Sequence, residues 1–328
     1  MKRIKSLLNI LAAALIMILS VDCTYAAFRD MKWSARSAGM GGAFTAVSDD
    51  SSGILYNPAG IIQADTGEVN LMYAKLFTGL DKVNLGLSYG AFMYPVEKIG
   101  TIGINWANFA SVNQYREDTF TIAYARGLND LVEDFLGKEL VPAISIGCNL
   151  KYLSHTYKLD KRTVGDPVFE NGDSQEGISI DLGIWSRPLP DICSGLTAGV
   201  MLKNINQPDL GLKTEDIVPM ETRVSAAYKI DNFGGLSDIL TCVDFEHRKQ
   251  EWGKDEDKIN IHAGVEAWAF NRILAFRMGG NYTEVSAGFS VLAPEDFMLN
   301  LKLDYAFLWP LYITETMGTH RVSVSYRF

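Results

Sequence analysis

The sequence predicts an all-β fold, a 14-stranded antiparallel transmembrane β-barrel. Three observations predict it. Long stretches alternate apolar and polar residues, the mean hydropathy is +0.04, and an alternating segment closes the chain on an aromatic, Phe328. A helical membrane protein would be far more apolar, whereas a barrel averages one lipid-facing and one lumen-facing residue at each step. The 328 residues carry 30 basic and 39 acidic side chains, a net charge of -9. Nucleic-acid partners are therefore not expected, because phosphate contacts require a clustered basic surface.

The first element is a leader. Met1-Lys2-Arg3-Ile4-Lys5 is followed by the apolar run Ile10 to Leu19, and small residues lead to Ala26. A basic head, a short apolar stretch and small residues before the cut define an export signal over residues 1–26. Cleavage after Ala26 moves the net charge to -11, since three basic groups and one acidic group leave with the leader. A lipoprotein signal at Cys23 is the rival, and Asp22 before that cysteine is a poor match for it. The remaining Cys148, Cys193 and Cys242 are odd in number and widely spaced, so they form neither a disulfide framework nor a zinc ribbon.

Residues 67–328 supply the barrel. Val322, Val324, Tyr326 and Phe328 fall on one face, opposite Arg321, Ser323, Ser325 and Arg327. The same holds for Ile178, Ile180, Leu182 and Ile184 against Ser179, Asp181, Gly183 and Trp185. Alternation of this length with charges on one side is a strand with one wet face. The pattern places strands near 67–77, 82–95, 98–109, 117–126, 141–156, 175–187, 194–205, 219–231, 236–248, 257–270, 272–280, 283–292, 296–309 and 318–328. All ten prolines lie outside these spans or at their ends, as the missing amide hydrogen requires. Connections after odd-numbered strands (157–174, 206–218, 249–256, 310–317) are longer and polar, and most of those after even-numbered strands are short. That asymmetry is the outer-membrane pattern. The exception, 127–140, carries Leu128, Leu131, Val132 and Phe135 at helical spacing. A secreted β-sandwich or propeller also alternates but needs no terminal aromatic and fewer equivalent long strands.

Residues 27–66 do not alternate. They hold Arg36, then Gly39-Met40-Gly41-Gly42-Ala43-Phe44, the pair Asp49-Asp50, and Tyr56-Asn57-Pro58-Ala59-Gly60. This opening resembles that of the PorV/PorQ outer-membrane proteins, within the wider group similar to FadL, the long-chain fatty acid transporters. The motif spans residues 36–60, and the strand count and Phe328 extend the similarity along the chain. The resemblance implies that 27–66 is an N-terminal luminal hatch inside the barrel. It also implies one of two roles, a secretion-system shuttle with secretion proteins as partners, or a transporter of hydrophobic small molecules such as fatty acids. It further implies that Tyr326 and Phe328 form the signal read by the barrel-assembly machinery.

Within that frame Gly39, Gly41 and Gly42 let the backbone bend and approach strands closely, and Asn57-Pro58 favours a turn. Asp49 and Asp50 would pair with inward cations such as Arg223, Lys229 or Lys302. Inward aromatics Phe92, Trp185, Trp268 and Phe270 would line a ligand pocket or pack the hatch, and Asp181 and Asp304 would face the lumen.

Enzyme chemistry is not expected. His155, His247, His262 and His320 are isolated, so no metal motif arises, and the glycines at 39 and 41 lack a third at the spacing a dinucleotide cofactor needs. His262 and Glu266 share a strand face, as do charged pairs in any wet lumen. An adhesive or structural surface barrel is the further alternative.

Overall fold

The computed structural model describes residue 28 and residues 31–328, except 113, 129, 131–142, 162, 164, 249–257, 294–299 and 314. The leader and the Cys23 alternative lie outside the described residues, as does most of the 127–140 connection.

Fourteen strands form: β1 (Glu68–Leu76), β2 (Leu85–Val96), β3 (Gly100–Ser111), β4 (Tyr115–Gly127), β5 (Ala143–Tyr157), β6 (Ser174–Arg187), β7 (Leu196–Lys203), β8 (Glu221–Phe233), β9 (Leu236–Arg248), β10 (Lys258–Ala269), β11 (Leu274–Gly280), β12 (Glu284–Leu292), β13 (Leu301–Pro310) and β14 (Thr319–Arg327). Each pairs antiparallel with its neighbours, and β1 pairs with β14 to close the barrel. Every predicted strand is present, with ends shifted by a few residues. Closure removes the free edges that a membrane interior does not tolerate.

Side-chain alternation sorts the wall into two faces. On β6, Ile178, Ile180, Leu182 and Ile184 are 57%, 42%, 49% and 48% exposed, whereas Ser179 and Asp181 are buried. Repeated around the wall, this gives an exposed apolar band that includes Leu71, Ile104, Ile122, Leu150, Phe245, Ile261, Phe276 and Val324. Rings gather toward both ends of the band. Phe92, Tyr94, Tyr326 and Phe328 stack near the short-turn end, and Phe307, Trp309 and His320 cluster toward the long-loop end. Aromatic belts at two levels are what a bilayer's two interfaces favour.

Phe92 was expected inward and faces outward. Its neighbours Tyr89, Ala91 and Met93 take the inward positions and are buried, so strand parity sends Phe92 out, 6.2 Å from the ring of Phe328. The cause is that β2 is apolar on both faces, which hides its register. Phe270 is the second correction. It lies beyond the end of β10, begins three successive residues of positive φ (53°, 54° and 65°) and is 69% exposed. Trp185 and Trp268 do point inward and are buried.

The lumen contains residues 31–66. Lys32 bonds Glu284 and its carbonyl accepts from Arg321, both near the long-loop end. The chain then turns through helices α1 (Ala35–Gly39) and α2 (Gly53–Tyr56) and a 3-10 turn, Pro58–Gln63, and joins β1 at the short-turn end. Ser34 caps α1 by accepting from the Arg36 amide, and Asn57 caps the 3-10 turn by accepting from the Ala59 amide, as small polar caps do. The apolar core lies between this segment and the wall. Ile54, Leu55 and Ile61 pack on Met72, Leu87, Tyr89, Met93 and Ala107. Met40, Phe44, Val47 and Tyr56 pack with Ala227 and Cys242.

Candidate functional site

The seating of the N-terminal segment begins with glycines of the wall. A Cβ on Gly279 would lie 2.2 Å from the Met40 carbonyl carbon, and one on Gly264 2.4 Å from the Met40 oxygen. Gly199 meets the Thr45 oxygen at 2.6 Å, Gly183 the Asn57 Oδ1 at 2.1 Å and Gly147 the Ala59 amide at 2.3 Å. Gly147, Gly199, Gly264 and Gly279 make room for backbone against backbone, and Gly183 for the Asn57 side chain. Glycine inside a strand marks such an approach. On the segment side, Gly41 has φ +68° and a Cβ there would meet the Gly280 amide at 2.2 Å.

Polar side chains complete the seats. Asp244 accepts from the Phe44 and Thr45 amides at 3.2 and 3.1 Å. Glu68 accepts from the Ser51 amide at 3.0 Å, and Asn149 donates to the Ile54 carbonyl at 2.8 Å. Asn57 donates to the Thr45 and Ile184 carbonyls at 3.1 and 2.9 Å, and Trp185 Nε1 to the Ala46 carbonyl at 2.9 Å. Backbone groups that a bilayer-embedded lumen could leave unpaired are satisfied this way.

At the centre stands Arg36. It donates two bonds of 2.9 Å to Glu266 on β10, reaches Asp49 at 2.5 Å and Asp50 at 2.8 Å, and lies over the Phe44 ring at 5.2 Å. Glu266 also accepts from Arg277 at 2.5 Å, and Arg277 and Lys302 flank Asp304 at 3.2 and 3.6 Å. Charge thus alternates along one buried chain, the arrangement that offsets desolvation of each member. Burial by itself raises the Asp50 pKa; the positive charges of Arg36 and Lys302 outweigh it and hold the carboxyl well below the usual carboxylate range. Burial works to lower the Arg36 pKa, and Asp49, Glu266 and Asp50 more than reverse it, so the guanidinium stays charged.

The expected pairing of Asp49 and Asp50 with wall cations holds in part: both bind Arg36 of their own segment directly, the charge of Lys302 also acts on Asp50, and Lys229 joins Asp238 at 2.7 Å. Arg223 instead joins Glu221 at 2.6 Å and Glu246 at 2.5 Å. His262 and Glu266 share a face but not a bond: His262 meets the Gly41 carbonyl at 2.8 Å and Glu246 at 3.1 Å. Among the described residues no group of three or more His, Cys, Asp or Glu side chains could hold a metal ion.

A cavity of about 60 Å³ lies between Phe28, Trp33, Leu55, Ala107, Leu153 and the polar Glu117, Lys151, Asp181, Lys203, Asn204 and Glu221. Small-molecule pockets usually measure roughly 300–1,000 Å³, so this cavity takes water and little else. None of the four expected pocket aromatics lines it.

Beside the cavity the wall has a step. β6 is paired with β5 along its whole length, from Ala143↔Arg187 to Thr156↔Ser174. Its pairing with β7 runs only from Ser186↔Ala198 to Leu182↔Leu202. Beyond that point irregular chain replaces a strand. The Ile205 amide donates to the Ile180 carbonyl at 2.9 Å, and the Asn206 side chain donates to the Ile178 carbonyl at 2.7 Å and accepts from the Ile180 amide at 2.9 Å. One amide side chain thus imitates a strand residue, next to the exposed apolar Ile178 and Ile180. Behind it Leu210 and Val218 fold inward onto Leu153 and Phe28, and the Leu210 carbonyl lies 2.8 Å from His155 Nε2.

Solved structures with this architecture exist. The CymD monoaromatic hydrocarbon channel is 14% identical over 92% of this chain and 98% of its own, with a TM-score of 0.52. A Pseudomonas aeruginosa FadL homologue is 10% identical over 92% and 100%, with a TM-score of 0.55. The fold is that of a FadL-like outer-membrane barrel. The Pseudomonas putida toluene transporter TodX shares it, at 11% identity over 93% and 98% and a TM-score of 0.53. At such identities the likeness is one of fold. By sequence the chain matches no family profile and no curated protein.

Proposed function

We propose that this FadL-like barrel is an outer-membrane transporter of hydrophobic small molecules, exported by a leader cleaved after Ala26, with residues 27–66 acting as its hatch. The observation that carries the reading is the N-terminal segment packed in the lumen beside the step at β6 and β7. The described residues 31–66 pack against the wall with buried side chains, and the cavity beside them measures about 60 Å³. A solute must displace packed chain, and an apolar solute has a second route, past Asn206 to the apolar outer face of β6. The CymD monoaromatic hydrocarbon channel and the toluene transporter TodX, which share the fold, support this.

In this reading lipid covers the apolar band, Tyr326 and Phe328 engage the barrel-assembly machinery, and no cofactor takes part. The test is extraction in mild detergent followed by mass spectrometry of bound lipid, with uptake of a labelled fatty acid and of toluene into vesicles carrying the protein. Uptake that stops when Cys substitutions at Asn206 and Ile178 are oxidised to a disulfide supports the reading. Unchanged permeability between empty and loaded vesicles rejects it.

The run from Arg36 to Gly60 favours a second reading, a PorV/PorQ-like shuttle that hands cargo to a secretion system. A ligand-free barrel that retains secretion proteins through purification would favour it over transport.

A further inference from the structure

We propose that Asn105 and Thr121 form a neutral polar seat on the inner wall, and that the transported molecule is an apolar one bearing an uncharged hydrogen-bonding group such as a ketone, ester or alcohol. The inference rests on the transport reading and narrows it.

Asn105 on β3 and Thr121 on β4 are direct cross-strand partners. Ala107 and Thr119, two residues further along the same strands and also partners, line the cavity of about 60 Å³. Side chains two apart on a strand share a face, so Asn105 and Thr121 point into the lumen one step nearer the short-turn end. Both are buried, at 6% and 2% exposure. Among the described residues neither Oδ1 nor Nδ2 of Asn105 has a hydrogen-bond partner, and the Thr121 hydroxyl has none either. Buried polar groups in native proteins are rarely left so. Each unmade bond costs free energy that an arriving partner restores.

The surroundings define that partner. In register, the pair is flanked by Ala91 on β2 and Lys151 on β5. The Lys151 ammonium is taken by Asp181 and Asn204, each at 2.6 Å, so an anion gains little there. A neutral group finds an amide and a hydroxyl, which between them donate and accept. The rest of the lining is apolar: Ala91, Ala107 and Ala123 are buried in one cluster with Ile54 and Leu55 of α2. Leu55 reaches the cavity on one side of the pair, and Ile54 reaches Gly103 on the other, where a Cβ would lie 2.6 Å from its Cδ1. An apolar lining with a few placed polar groups selects an apolar body with one polar group.

The test compares acetophenone with ethylbenzene, which are close in shape and differ by a carbonyl. Uptake of each is measured into vesicles carrying the protein and into empty ones, and the carbonyl stretch of acetophenone is followed by infrared difference spectroscopy on the detergent-folded protein. Wild type is expected to take up acetophenone about tenfold faster than ethylbenzene, as one or two hydrogen bonds at a buried site supply, with the carbonyl band lowered relative to empty micelles. Asn105→Leu combined with Thr121→Val should bring the ratio near one and abolish the band shift. Thr121→Val alone, nearly the same in shape, should lower the ratio about threefold, and it decides the matter if Asn105→Leu does not fold. Equal uptake of the two solutes by wild type, or a ratio unmoved by the variants, overturns the proposal and leaves transport standing. Uptake of neither solute above empty vesicles overturns the transport reading and this one with it.

Discussion

Against β10 and β11 the N-terminal segment meets the wall as backbone on glycine, with Met40 against Gly264 and Gly279 and with Arg36 clamped by Glu266. At the outer end of β6 the wall meets irregular chain through the two bonds of one amide, Asn206. The first contact is made of parts that cannot shift singly, because each Cβ-free approach and each buried charge depends on its neighbours. The second rests on the two bonds of that amide and one backbone bond, from the Ile205 amide to the Ile180 carbonyl, with no buried ion pair of the kind Arg36 makes. A single lumen thus holds one contact built on buried charge and close backbone approach and one built on a few hydrogen bonds, and under the transport proposal the second is where passage would be cheapest.

The comparison breaks most sharply at Glu266. Glu266→Gln leaves Arg36 and Arg277 without their shared carboxylate, and loss of one partner of a buried ion pair costs about 3–5 kcal/mol. The expected result is a large fall in the urea midpoint of the detergent-folded protein together with protease cutting in residues 31–66; an unchanged midpoint would show that the clamp carries no weight. Next comes Gly279→Val, which forces side-chain atoms onto Met40 and Gly41. Overpacking of this kind costs about 1–3 kcal/mol, read as a lower temperature for the heat-induced shift in gel migration.

A smaller effect is expected at the second contact. Asn206→Ala removes two bonds worth about 0.5–1.5 kcal/mol each, and the uptake of apolar solute should rise while the unfolding midpoint moves little. A midpoint that falls as far as for Glu266→Gln would erase the distinction between the two contacts. The smallest effect is that of acid. Because Asp50 titrates below its unfolded value near 3.9, its contribution is complete above that value and fades as pH falls through the folded one. Stability should therefore be flat from neutral pH to about pH 4 and drop below it. Asp50→Asn should flatten that drop.

The wall was legible in the sequence because lipid and lumen impose opposite polarities at period two. Legibility failed where that contrast fails. On β2 the inward Leu87, Tyr89, Ala91 and Met93 are apolar because they pack on Ile54, Leu55 and Ile61, so Phe92 was assigned to the wrong face. The segment's contents were visible as a motif, but not its partners. Arg36 and Glu266 are 230 residues apart, and nothing local marks Glu266 among the inward charges. The inward glycines at 147, 183, 199, 264 and 279 were the neglected clue, since their spacing along separate strands already traced where another segment would lie.

The path of residues 31–66 also constrains the order of assembly. The Ala35 amide bonds the Ser323 hydroxyl at 2.9 Å across 288 residues, and the same segment touches wall strands from β3 to β14. Contacts so distant in sequence are slow to form. A segment that fills the lumen from one rim to the other cannot be threaded through a finished barrel without undoing its seats. The N-terminal segment and the wall therefore complete one another: its seats exist only when strands from both ends of the chain are in place.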